Sequence, residues 1–196
     1  MFKRVDANID LPSVESEISA YWDKINAFET SVENRKNDKT FRFYDGPPFP
    51  TGSPHYGNLL AGVIKDIVPR YWTMRGYYVE RRFGWDVHGL PIEMEVQKKL
   101  NLEDPQQIDE YGIDKFNEAC RSQVQTNTEN WEKITRKIGR WVDFENDYKT
   151  MDIEFMESVW WVFKELWSKD LIYQDYKVLP YSWAASTPLS NFEANM

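Results

Sequence analysis

The chain has 196 residues, of which 41% are hydrophobic and 16% aromatic, so it is long and apolar enough to bury the core of one good-sized domain. Its formal charge of −8 argues against a broadly basic surface that coats nucleic acid. The single cysteine, Cys120, excludes an intrachain disulfide and a four-cysteine zinc site. The N-terminus lacks the apolar core of a signal peptide, and no apolar run reaches bilayer length, which predicts a cytoplasmic protein without a membrane segment.

The first 40 residues are predicted to form an N-terminal helix and a linker. The segment Pro12–Phe28 reads as the helix, because proline suits a first turn and five apolar side chains share one face: Val14, Ile18, Tyr21, Trp22 and Ile25. The polar stretch Glu29–Thr40 that follows is typical of a linker. Residues 41–196 then form the remaining unit.

An alternation of strands, loops and helices begins at Phe41. Phe41–Asp45 alternates and is aromatic, which predicts a strand. A loop rich in proline and glycine follows, and an apolar stripe of helical spacing starts near His55. Pro69 should kink this helix, and Gly76 should cap its C-terminal end.

The same order repeats further along the chain. Tyr77–Phe83 is a second strand candidate, and its loop leads into a helix over Pro91–Leu100. Two further helices are predicted at about Ile113–Ile138 and Ile153–Lys169, and Leu171–Trp183 reads as extended. Strand, loop, helix, strand, loop, helix is the order of an α/β fold with a parallel sheet.

Both loops are candidates for a ligand site, because ligands of open α/β sheets bind beyond the carboxyl ends of the strands. A helix starting at His55 would point free N–H groups and a positive dipole end into such a crevice, which is a generic phosphate site. His55 and Asn58 lie three residues apart on one side of the first turn, and Gly57 lets a ligand approach the backbone. The second histidine of the chain, His88, lies in the matching loop.

The motif "DGPPFPTGSPHYGN" resembles the first signature of class I aminoacyl-tRNA synthetases, whose usual core is His-Ile-Gly-His. "GWDVHGLPIE" looks like the amino-acid-binding loop of the isoleucyl-tRNA synthetase family, and "TPLSNFEA" is also similar to that family. The resemblance covers about residues 41–196. The histidine at position 88 favours isoleucine over the two alternative specificities, leucine and valine.

The chain departs from the family pattern in two places. Asn58 stands where the second histidine of the signature is usual, and the second signature, a Lys-Met-Ser-Lys-Ser loop, is absent. The sequence ends just after "TPLSNFEA". We therefore expect the N-terminal half of a Rossmann-like catalytic domain. We also expect a fragment without the editing domain, the second half of the fold or the anticodon-binding domain, weakly active or inactive alone.

The resemblance implies an isoleucine–tRNA ligase activity: ATP-dependent activation of L-isoleucine and transfer to tRNA(Ile). ATP enters as a substrate with Mg²⁺, no protein-held metal is expected, and a monomer is expected. The residues implied for catalysis are His55 and Asn58. Those implied for ATP binding are His55, Gly57, Asn58 and Thr51. Those implied for amino-acid binding are Gly46, Pro47, Asp86, His88 and Gly89.

A rival interpretation is a non-catalytic half-domain derived from a synthetase, which binds a nucleotide or a partner protein without chemistry. Asn58 and the absent second signature favour it. Four cations near the loops are predicted to be surface or ion-pairing residues rather than ATP ligands: Lys65, Arg70, Arg81 and Arg82.

Overall fold

The computed structural model describes residues 8–50, 52–184, 186–191 and 194. Within them, the helices are α1 Leu11–Lys24, α2 Ala27–Glu33, α3 Tyr56–Met74, α4 Leu90–Leu100, α5 Pro105–Tyr111, α6 Ile113–Lys137 and α7 Ile153–Ser168. The strands are β1 Arg82–Trp85, β2 Asp143–Lys149, β3 Tyr181–Ser182 and β4 Thr187–Pro188. None of the helices in this part of the chain is both long enough and apolar enough to cross a membrane.

The central pairing is a parallel one between β1 and β2. Arg82 lies opposite Asp143 and Trp85 opposite Lys149, with an irregularity in the register between them. Parallel neighbours need a long crossover, and α4, α5 and α6 supply it. This confirms the predicted α/β class. β1 shares only its first two residues with the predicted strand Tyr77–Phe83. β2 was not predicted from the sequence, because its residues are mostly polar.

The predicted strand Phe41–Asp45 joins the sheet only at its start. A single parallel bridge pairs Thr40 with Tyr78, and the N–H of Phe41 donates to the carbonyl of Tyr78 at 2.9 Å. Residues 41–50 form no further strand pairing. The prolines that follow have no N–H to contribute to one, so the segment is better suited to a loop than to a strand.

Helix α3 begins and ends where the sequence predicts. His55 is its N-cap, and Gly76, with φ of +88°, follows the last turn. The N–H groups of Gly76 and Tyr77 donate to the carbonyls of Thr73 and Trp72, which closes the helix with a Schellman motif. Most of the apolar stripe of α3 is exposed within the described structure, for example Leu60, Val63, Ile64 and Ile67.

The core lies between the β1–β2 pair and the crossover helices. Phe83 and Trp85 of β1 are 1% exposed and pack with Phe144 of β2, their ring centroids lying 4.7 Å and 6.4 Å from its ring. Further buried members come from the loop after β1, from α4, from α6 and from the segment before β2: Val87, Ile92, Val96, Phe116, Val124, Trp131 and Val142. Burial of these rings fixes the end of β1, from which the second loop emerges.

The N-terminal helix packs through a sandwiched arginine. Arg70 of α3 lies 5.3 Å from the ring of Trp22 in α1 and 3.8 Å from the ring of Trp141. The linker prediction is wrong for the start of Glu29–Thr40, which belongs to α2. Phe28, in the first turn of α2, has its ring centroid 6.5 Å from that of Trp141 and anchors the helix. The polar composition of the segment could not reveal this contact.

The C-terminal helix prediction is confirmed by α7. Several of its large apolar side chains are exposed in the described structure: Val159, Trp160, Trp161, Phe163 and Trp167. The segment after it runs without regular structure to a short antiparallel pair, β3 with β4.

We predict that Gly84→Ala destabilises the fold. A Cβ at Gly84 would overlap the ring of Tyr148, which is held in place by stacking on Phe155 at 5.8 Å. Overpacking of this kind costs about 1–3 kcal/mol of unfolding free energy. Urea denaturation of the chain checks it against Gly46→Ala, where a new Cβ would meet nothing within 4 Å. Equal midpoints for the two variants would contradict the packing argument.

Candidate functional site

Helix α3 starts with a reciprocal cap built from two residues of the first motif. Nδ1 of His55 accepts a hydrogen bond from the N–H of Gly57 at 3.1 Å. Oδ1 of Asn58 accepts one from the N–H of His55 at 3.0 Å. A Cβ at Gly57 would lie 3.0 Å from Cε1 of His55, so the glycine makes room for the imidazole over the helix end. The predicted helix start is therefore confirmed, with His55 and Asn58 interlocked.

The cap determines which polar atoms remain available to a ligand. Because Nδ1 of His55 accepts a hydrogen bond, the imidazole proton lies on Nε2. Because Oδ1 of Asn58 is engaged, the Nδ2 amide offers its two N–H donors. His55 is exposed, and the positive end of the α3 dipole lies beneath it. The helix start thus presents neutral side-chain donors, an arrangement suited to anionic oxygens.

A buried carboxylate ties the first loop to two other parts of the fold. Asp45 has no exposed side-chain surface, and its oxygens lie 2.7 Å from Nζ of Lys65 and 3.0 Å from Nη2 of Arg140. Lys65 also donates to the carbonyl of Gly46 at 2.5 Å. The hydroxyl of Tyr148 donates to the carbonyl of Asp45 at 3.1 Å. Burial and the nearby Asp45 charge raise the pKa of Tyr148, so the hydroxyl keeps the proton that it donates.

The two motif loops meet at the carboxyl edge of the sheet. The N–H of Asp86 donates to the carbonyl of Pro48 at 3.0 Å, which joins the second loop to the first. Asp86 is half-buried, and its Oδ1 lies 3.4 Å from Oγ1 of Thr150, the residue that follows β2. Three chain segments therefore converge on Asp86.

Helix α6 holds the far side of the first loop. Nε1 of Trp131 donates to the carbonyl of Gly52 at 2.9 Å, and Nδ2 of Asn130 lies 3.4 Å from Oγ of Ser53. The loop is thus fixed at both ends of its proline-rich run, by the Asp45 ion pairs and by α6.

The remaining predicted site residues are distributed unevenly. Gly46 and Asn58 line one cavity of about 230 Å³, together with Pro48, Phe83 and Trp131, whereas Asp86 does not line it. Pro47 is half-buried beside Gly46, and Gly89, with φ of +93°, is the N-cap of α4. His88 is exposed and has no hydrogen-bond or ion-pair partner in the described part of the chain. Thr51 lies outside the described residues.

The four cations near the loops do not all behave as predicted. Lys65 pairs with Asp45, and Arg70 pairs with Asp66 at 2.5 Å. Arg81 is only 2% exposed and donates to the carbonyl of Pro69 at 3.2 Å and to the hydroxyl of Thr73, so the surface or ion-pair prediction is wrong for it. Burial lowers its pKa to about 10, which leaves the guanidinium charged at neutral pH. Among the described residues, no group of three or more His, Cys, Asp or Glu side chains is arranged to hold a metal ion.

A model of the family "tRNA synthetases class I (I, L, M and V)" matches residues 17–196. The chain belongs to this family. A cytoplasmic isoleucine–tRNA ligase of Arabidopsis thaliana is 56% identical over 183 residues, which are 93% of this chain and 15% of that protein. Isoleucine–tRNA ligases of Anaplasma marginale and Mycobacterium tuberculosis (strain H37Rv) are each 54% identical, over 100% and 95% of this chain and 18% of each relative.

The fold of this class I synthetase chain is similar to that of a solved relative. A crystal structure of a LeuRS–tRNA–LeuAMS ternary complex from Agrobacterium radiobacter K84 matches with a TM-score of 0.62 and 22% identity, covering 94% of this chain and 21% of that one. The match confirms the Rossmann-like class I fold that the motifs indicate. The chain spans less than a fifth of the length of the curated relatives described above.

Several residues that shape the site of this class I synthetase chain were not predicted from the sequence. Asp45 was read as the end of a strand, and neither Arg140 nor Thr150 was singled out. Arg140 lies 95 residues from Asp45 along the chain, so spacing could not have paired them. The one available signal was the acidic residue directly before a proline-rich loop, because a carboxylate there is a common means of fixing loop backbone.

We predict that Asp45→Asn strongly destabilises the protein. The substitution leaves Lys65 and Arg140 near an uncharged amide, and removal of one partner from a buried ion pair costs about 3–5 kcal/mol. The matched control is Asp38→Asn, because Asp38 pairs with Arg35 where both side chains are 39–40% exposed. Such surface pairs contribute about 0–1 kcal/mol. Chemical denaturation measures both, and equal losses would contradict a special role for Asp45.

Proposed function

We propose that this chain forms the part of an isoleucine–tRNA ligase that binds ATP and L-isoleucine and carries out adenylate formation, with transfer of isoleucine to tRNA(Ile) by the longer protein. The observation that carries the proposal is the hydrogen bond between Asp86 and Pro48, which brings the His55 loop and the Asp86 loop to one edge of the sheet. The names of the relatives, isoleucine–tRNA ligases at 54–56% identity, support the choice of amino acid.

The proposed first step needs no protein nucleophile. A carboxylate oxygen of isoleucine attacks the α-phosphorus of ATP, the bond to the departing pyrophosphate breaks, and isoleucyl-adenylate forms. In the second step the 3′-terminal ribose hydroxyl of the tRNA attacks the acyl carbon, and AMP leaves. Catalysis of the first step therefore depends on holding two anions in line and on stabilising negative charge as it shifts.

On the ATP side, the start of α3 is the proposed phosphate contact. Nε2–H of His55 and the Nδ2 amide of Asn58 would donate to phosphate oxygens, while Gly57 leaves room for the imidazole that its N–H holds over the helix start. These donors are fixed by their own cap before ATP arrives, so little ordering remains to be done on binding. Mg²⁺ would enter with ATP, coordinated mostly by phosphate oxygens and water. Thr51, which lies outside the described residues, remains a prediction from the sequence for ATP binding.

On the amino-acid side, Asp86 is the proposed anchor for the α-ammonium group. Its carboxylate is half-buried at the meeting point of the loops, where a charge-assisted hydrogen bond is stronger than in water. Gly46 and Pro47 would border the amino acid, and the exposed His88 with Gly89 would close the loop over it.

Isoleucine-dependent exchange of pyrophosphate into ATP tests this function in a synthetase of the relatives' length that contains this chain. We predict that Asp86→Asn raises the KM for isoleucine about 10- to 150-fold, the loss expected for one hydrogen bond to a charged group, and changes the KM for ATP much less. Asp109→Asn, an exposed carboxylate on α5, is the matched control and should leave both constants unchanged.

The same assay separates the alternatives. Equal effects of Asp86→Asn on both substrates would refute Asp86 as the ammonium anchor. Exchange driven by leucine or valine better than by isoleucine would refute the specificity. ATP binding without any exchange would favour the non-catalytic half-domain instead.

A second prediction concerns Asn58, whose amide has two separable roles. Asn58→Ala removes both the cap and the donor, so we expect slower adenylation together with a loss of about 0.5–2 kcal/mol of stability. Asn58→Asp keeps the oxygen that caps His55, loses the donor and adds a negative charge beside the phosphate, and we expect slower adenylation with stability retained or slightly raised by the helix dipole. Single-turnover adenylation and thermal denaturation measure the two effects.

Asn58→His is the conservative variant, because histidine can also donate to a phosphate, and it should retain or improve the rate. If Asn58→Asp keeps the full adenylation rate, Asn58 serves the helix cap alone and His55 is the only donor of this pair.

A further inference from the structure

Thr150, the residue that follows β2, contacts three consecutive residues, the last residue of β1 and the two that follow it. The N–H of Thr150 donates to the carbonyl of Trp85 at 3.0 Å. Its Oγ1 accepts a hydrogen bond from the N–H of Val87 at 3.0 Å and lies 3.4 Å from Oδ1 of Asp86. Thr150 is only 7% exposed, so these bonds form away from competing water.

The direction of each bond follows from the chemistry of a hydroxyl. A backbone N–H can only donate, so Oγ1 of Thr150 uses a lone pair toward Val87. Its single proton is then free for another acceptor, and the carboxylate oxygen of Asp86 lies within reach. The side chain of Thr150 therefore links the backbone after Asp86 with the carboxylate of Asp86 itself.

The carboxylate of Asp86 is held in this way at one oxygen only. Oδ1 faces the hydroxyl of Thr150, while Oδ2 has no hydrogen-bond partner in the described part of the chain. The backbone of Asp86 is fixed independently by its bond to the carbonyl of Pro48 at 3.0 Å. One oxygen is thus used for orientation, and the other remains for a ligand.

We propose that Thr150 is a positioning residue that orients the Asp86 carboxylate toward the α-ammonium group of the amino acid. The inference rests on the proposed function, because it gives Thr150 its effect through Asp86. A carboxylate that is already oriented loses less rotational freedom when the ammonium group binds. Because Thr150 would act through Asp86, removal of its hydroxyl should weaken amino-acid binding and leave ATP binding largely intact.

The test uses variants that separate the hydroxyl from the rest of the side chain. Thr150→Val keeps the shape and removes the hydroxyl, and Thr150→Ser keeps the hydroxyl and removes the methyl group. In the full-length synthetase we expect Thr150→Val to raise the KM for isoleucine about tenfold, the lower end for a bond to a charged group, with a small change in kcat and in the KM for ATP. Thr150→Ser should stay close to the parent enzyme.

A second pair of variants controls for a folding defect in Thr150→Val. Thr150→Ala and Thr150→Ser differ only by the hydroxyl, so their KM ratio for isoleucine reports the loss of its contacts with Asp86 and with the N–H of Val87 in a smaller side chain. Thermal denaturation and the KM for ATP of each variant show whether the fold and the ATP side are intact.

The decisive comparison is a double-mutant cycle with Asp86→Ala. If Thr150 acts through Asp86, removing its hydroxyl should change the isoleucine KM little once the carboxylate is absent. An equal change with and without Asp86, or a Thr150→Ser variant as impaired as Thr150→Val, would overturn the positioning role while leaving Asp86 in place as the anchor. An Asp86→Ala variant that binds isoleucine normally would instead overturn the proposed anchor, and the role of Thr150 with it.

Discussion

The structure of the site depends on how one buried carboxylate is neutralised. Asp45 has no exposed side-chain surface, and an isolated charge in that position would be far too costly to keep. Its counter-ions come from α3 and from the segment between α6 and β2. The charge can be buried only when these segments and the start of the first loop come together. The same ion pairs that satisfy Asp45 therefore define where the loop leaves the sheet.

A loop fixed in this way is ready before any substrate arrives. Lys65 holds the carbonyl of Gly46, Trp131 holds that of Gly52, and the carbonyl of Pro48 accepts from Asp86. The prolines between these points restrict the backbone further, because each fixes its own φ angle. For a reaction that proceeds by aligning two substrates, such rigidity lowers the entropy still to be lost in the bound complex.

Local features of the site were predictable from the sequence, and non-local ones were not. The start of α3 at His55 and its end at Gly76 follow from residues a few positions apart, and both were found. α2 was missed because its stability comes from Phe28 packing near Trp141, more than a hundred residues away in the sequence. Arg81 was misplaced for a similar reason, since its burial against α3 depends on tertiary packing. The polar β2 gave no apolar alternation to detect.

The two sides of the proposed site differ in the charge that they present to a ligand. Two cations beside the first loop, Lys65 and Arg140, are both held by the buried carboxylate of Asp45. What the start of α3 presents instead are neutral donors and a helix dipole, which orient phosphate oxygens without adding net charge. On the opposite side Asp86 presents a fixed negative charge. In the proposed function, these loops would orient the two substrates through fixed neutral donors on one side and a fixed carboxylate on the other.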